Sequence, residues 1–128
     1  MNWNDLTLNP KVIAGYYDRV PCLAKVEIFK LVLNRDASKL TIVFEPDRFP
    51  ERPSQRWPLG ANAVQVSMSA FGVKELEIHG WGSNIVGELS LEKQGPLIGI
   101  NFEGPAQFRA VTEFIQVDKV VGYCSEVP

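Results

Sequence analysis

The sequence predicts a mainly β protein at the margin of α+β, with antiparallel sheets in a sandwich-like or curved-sheet arrangement and one short N-terminal helix. Two observations carry this. From about residue 25 onward, apolar and polar residues alternate with period two in run after run, and each run keeps one apolar and one polar face. Such half-polar alternation fits antiparallel sheets with one face packed and one wet, not the continuous apolar strands of a parallel sheet. Helical spacing occurs only near the start.

There, Val12, Ile13, Tyr16 and Tyr17 recur as one apolar stripe. Asn9 is suited to cap the first free backbone N–H groups, Pro10 sits where a missing N–H costs nothing, and Leu8 can pack on Ile13 as a hydrophobic staple. Gly15 and the Val20-Pro21 step keep the helix short. After Pro21 the period changes to two. Val26 and Ile28, then Phe29, Leu31 and Leu33, alternate with polar residues, and the phase slip at Ile28-Phe29 marks a β-bulge. A turn over Asn34–Ser38 followed by Leu40, Ile42 and Phe44 makes residues 25–45 a hairpin. Pro46 to Gly60 holds four prolines and no periodicity, which reads as a long surface loop.

Four further strand signals follow: Val64 to Ala70, Glu75 to His79, Glu88 to Glu92, and Ile98 to Phe102 after the Gly95-Pro96 turn. The tail from Phe108 to Tyr123 is apolar and β-branched and reads as one bent strand or two short ones. Neither an internal repeat nor a linker interrupts the 128 residues, so a single domain, 1–128, is expected.

Composition excludes several function classes. Apolar residues at 45% and charged residues at 22% are ordinary for a globular chain, and no apolar run approaches the roughly 20 residues that span a bilayer. The N-terminus lacks the basic and apolar regions of a secretory signal, which makes the cytoplasm the expected location and a membrane role unexpected. A net charge of −2 argues against nucleic acid as partner. Cys22 and Cys124 lie near opposite ends with no zinc-ligand neighbours and read as two reduced thiols; whether they pair stays open.

Candidate chemistry is sparse. His79 is the only histidine, and Glu75 and Glu77 share its strand face about 7 Å apart, so a general base with an orienting carboxylate, or a carboxylate pair, is formally available. A solvated strand face accounts for these residues equally well, and for Glu88 and Glu92. No serine occupies a nucleophile elbow, and the glycines of Gly80-Trp81-Gly82 and Gly95-Pro96 lack the strand-to-helix context of a phosphate loop. No catalytic residue, metal ligand or cofactor is expected. Trp3, Trp57 and Trp81 suit a core, but Trp57 and Trp81 border loops, where an aromatic ring can anchor a partner. Arg48, Arg52 and Arg56, interleaved with Asp47 and Glu51, read as a mixed-charge solvated loop.

An N-terminal Trp-Asn-Asp-Leu with a short helix, a hairpin, a proline-rich loop ending in Trp57, and the stretch FPERPSQRWPLGANAVQVSMSAFGVKELEIHGW from Phe49 to Trp81 follow one another in an order that resembles the immunity protein 50 family of bacterial polymorphic toxin systems. Trp57, Gly80 and Trp81 are the positions of that pattern. The resemblance implies a small cytoplasmic protein that binds a cognate toxin protein and neutralises it stoichiometrically, with no active site of its own. The toxin-facing surface is then expected around Glu75, Glu77, His79 and Trp81, where an acidic strand face meets an exposed aromatic. Two rivals remain at this level: an adaptor with a non-toxin partner, and a ligand-binding or catalytic β-domain using His79 and the nearby carboxylates inside the sheets. Free strand edges also leave a homodimer open.

Overall fold

A computed structural model describes residues 2–126. Its order is a 3-10 turn (Trp3–Leu6), helix α1 (Lys11–Tyr16), then β1 (Val26–Asn34), β2 (Lys39–Glu45), β3 (Ala63–Phe71), β4 (Glu75–His79), β5 (Val86–Gln94), β6 (Leu97–Glu103), β7 (Gln107–Thr112) and β8 (Phe114–Tyr123). The eight strands form one open antiparallel sheet in the order β4-β7-β6-β5-β1-β2-β3-β8. Of the two arrangements the sequence allows, this is the curved sheet.

Curvature comes from two joints. β1 and β5 pair only at Val26–Gly87 and Glu27–Val86, so the sheet has two four-stranded halves. On the other side, the β3–β8 ladder ends at Phe71–Phe114 and the β4–β7 ladder takes over at Glu75–Val111. The corner between them is held by Glu113 N–H donating to Phe71 O, Lys74 N–H donating to Val111 O, and a Lys74–Glu113 ion pair at 2.8 Å. The tail is therefore two strands, divided at Glu113 where the chain passes between the halves. Phe44, Met68 and Ile115 from one half and Ile100, Phe102 and Phe108 from the other fill one shared apolar core. Burying such side chains contributes roughly 1.5–3 kcal/mol each.

The phase slip at Ile28-Phe29 is a β-bulge: Ile28 opposes Phe44 and Lys30 opposes Val43, leaving Phe29 extra. One local expectation fails at α1. Pro10, not Asn9, is the N-cap, and Leu8 is 62% exposed, so no staple forms. Asn9 is drawn away by a stronger match: its amide donates to Val117 O at 2.8 Å and accepts from Val117 N–H at 2.9 Å, filling both outward backbone groups of Val117 on β8. Leu8 N–H donates to Ile115 O beside it. β3 departs from the expected wet face as well. Ser67 and Ser69 are buried, because Ser69 hydrogen-bonds Thr41 on β2 and Asp118 on β8 and these neighbours close over the small side chains.

The proline-rich loop is a strap, which corrects its reading as merely solvated. Arg52 donates to the carbonyls of Ala14, Gly15 and Tyr17 and pairs with Asp18, satisfying the end of α1 that a six-residue helix leaves bare. Tyr17 donates its hydroxyl to Arg48 O at 2.7 Å, and burial pushes its pKa well above the usual tyrosine range. Burial and a hydrogen bond to Glu45 push Tyr123 up to about 12. Both shifts favour the neutral folded form. Their stabilisation is complete below pH 10 and is lost as pH rises through the raised values. Denaturant midpoints are thus expected to hold up to about pH 10 and to fall between about pH 10 and 12. The fall is shallower in Tyr17→Phe; an identical alkaline profile in that variant contradicts the assignment.

Candidate functional site

β4 lies at one edge of the sheet, and its register fixes what surrounds it. Residues opposed across an antiparallel ladder share a face, so the outer face of the β4-β7-β6-β5 half can be read in rows. One row runs His79, Gln107, Glu103, Glu88; the next Glu77, Arg109, Asn101, Ser90; the third Glu75, Val111, Gly99, Glu92. Leu76, Ala110, Ile100 and Leu91 point the other way, toward the core. The structure thus brings Glu75, Glu77 and His79 together as expected. It adds Glu88 and Glu92, which sequence reading kept apart from them, and Glu103 and Arg109, which it did not single out.

This face is electrostatically one-sided. Glu75, Glu77, Glu88, Glu92 and Glu103 stand against a single cation, Arg109, and among the described residues none of the five is in an ion pair. Glu88 and Glu103 are direct cross-strand neighbours, an arrangement that costs stability. The Gln94 side chain lies over Gly99, and a shallow groove of about 400 Å³ opens on this face, lined by Glu75, Ser90, Glu92, Gln94, Asn101 and Arg109. The outer face of the other half differs: Lys30, Val43, Ser67 and Lys119 form a row across it.

The pattern residues separate. Gly80 ends β4 with φ +76, a conformation that side chains other than glycine's rarely adopt, and an added Cβ would sit 3.2 Å from Pro105 O. That turn presents Trp81, 54% exposed, just past the acidic strand. Trp57 is far from such a role. It stacks on Tyr16 at 5.3 Å, meets Phe49 edge-on at 5.9 Å and covers Gly122 of β8, so it fastens the strap to the sheet and is no free anchor. Trp3 is likewise held, its indole N–H donating to Pro21 O and its ring edge-on to Phe44. Cys22 and Cys124 are both exposed and unbridged.

The interior-ligand alternative loses its premise, since side chains occupy the space between the halves and His79 is exposed on the edge strand. No helix of the described residues is long and apolar enough to cross a membrane.

Fold and face together define the class: a curved antiparallel sheet that presents a broad, unpaired acidic surface beside an open edge. Comparison with known proteins places it more closely. The family model for immunity protein 50 matches residues 9–123, nearly the whole chain, and the chain belongs to that family. No curated protein and no solved structure matches it.

Proposed function

We propose that this chain acts in the cytoplasm, as one domain, by binding a cognate toxin stoichiometrically and neutralising it, with Glu75, Glu77, His79 and Trp81 at the contact surface. The observation that carries the reading is the cluster of five glutamates that shares its face with one cation, Arg109. Only Glu77 has a cation, Arg109, directly opposite it, and holding Glu88 against Glu103 is unfavourable, whereas a basic partner surface would give the others counter-charges and relieve that repulsion. Membership of an immunity family supports a toxin as that partner. Half-exposed Trp81 supplies the aromatic anchor that a polar face lacks.

Co-expression with the toxic domain encoded beside it is the direct test. Growth rescue with a 1:1 complex on co-purification supports neutralisation by binding; a folded protein that neither rescues nor binds removes it. Within a complex, Glu75→Lys together with Glu77→Lys is expected to weaken binding about 10–100-fold, the range for charges lost and reversed at an interface. Added salt should narrow the difference. Wild-type affinity in the folded double variant would take this face out of the interface.

A further inference from the structure

The sheet has two edges, and they are not alike. β8 is obstructed over its first half: Leu8 and the Asn9 amide occupy Ile115 and Val117, and the extra residue Asp118 breaks the register just beyond. Bulges and covering segments are the ordinary means of blunting an edge. Among the described residues β4 has no such cover. It pairs with β7 on one side, and its other side offers unfilled backbone donors and acceptors along five residues.

Both side-chain faces of β4 are unfinished as well. Ile78, which opposes buried Phe108, is 39% exposed, while Glu75, Glu77 and His79 line the polar face without an ion pair. One neighbour would complete all of this: another strand, whose side chains would lie about 4.5–5.5 Å from those of β4 on each face.

We infer that the toxin supplies that strand, adding an extended segment of its own along β4 in which Lys or Arg alternates with apolar residues. The inference rests on the neutralisation reading above. Basic residues of the segment meet Glu75 and Glu77, apolar ones meet Leu76 and Ile78, and main-chain hydrogen bonds provide the rest of the affinity. A second copy of this chain is a poor occupant. Antiparallel self-pairing centred on Glu77 sets Glu77 against Glu77, and like charges directly opposite are unfavourable. A single-sign edge therefore refuses its own kind and accepts a basic strand.

Hydrogen–deuterium exchange on the intact chain, free and bound to the neighbouring toxic domain, tests this. Amides of β4 that face β7 are protected already. The intervening ones are expected to slow at least tenfold on binding, giving an alternating gain over residues 75–79 with no change in β8. Ile78→Asp, checked for folding by circular dichroism, is expected to lose at least tenfold in affinity. A complex that rescues growth but protects only other regions, or tolerates Ile78→Asp, overturns strand addition and leaves neutralisation standing. Absence of both rescue and complex overturns the two together.

Discussion

Gly87→Ala is expected to lower stability by about 3 kcal/mol, at the upper end of ordinary overpacking costs. A Cβ at this position would lie 2.1 Å from Glu103 O and 2.9 Å from the Phe102 ring. The first obstacle is main chain, which cannot rotate aside. Gly104 stands across the same gap, where its own Cβ would come within 3.3 Å of the Gly87 Cα. Both glycines thus serve the joint at which β5 leaves β6 to pair with Val26 of β1. Gly82→Ala is the control, since nothing lies within 4 Å of an added Cβ there, and it should stay within about 0.5 kcal/mol of wild type. Urea midpoints at constant slope would read both; equal midpoints for the two variants would refute the role given to the joint.

Phe44→Ala should be costlier, ~3–5 kcal/mol, because it empties a fully buried aromatic site. Phe44 lies between Ile28 and Val66 on the neighbouring strands and takes the edge of Trp3 at 6.1 Å, so its loss also frees the N-terminal turn. Small domains hold only about 5–15 kcal/mol in total, and this single truncation should remove about a fifth or more of it. Phe29→Ala, at the exposed bulge residue, is the matched comparison and should cost under about 1 kcal/mol. Comparable losses at the two positions would mean that the core is not where the structure puts it.

How much of this was legible beforehand depended on whether the cause was local. The hairpin, the bulge at Phe29, the absence of a strand among the prolines of 46–60 and the strands near Val64, Glu75, Glu88 and Ile98 all follow from alternation and turn chemistry within a few residues. The division of the tail at Glu113 was left open, because the bend answers to the partner strands and not to any breaker in the sequence. Asn9 reads as a cap from its neighbours, yet its partner is Val117, 108 residues away. Arg52 misleads in the same fashion, its meaning fixed by α1.

The site divides along the same line. Period two put Glu75, Glu77 and His79 on one face, and the structure keeps them there. It could not say which strands lie alongside. Glu103 and Gln107 do lie on either side of Gly104-Pro105 and pair across that turn, so a closer reading of one hairpin would have set Glu103 beside Gln107, though not beside His79. Placing β5 next to β6 follows from Gly95-Pro96 in the same way, but joining β4 to β7 needs the whole fold.

Asn9 has a consequence for assembly. A sheet with two receptive edges is a bifunctional monomer: each addition leaves a new end, and growth has no built-in stop. With Asn9 on Val117 and the register broken at Asp118, β8 is blunted, and under strand addition at β4 this chain accepts one strand and is then finished. If it neutralises by one-to-one binding as proposed, it needs that kind of valency as much as it needs affinity.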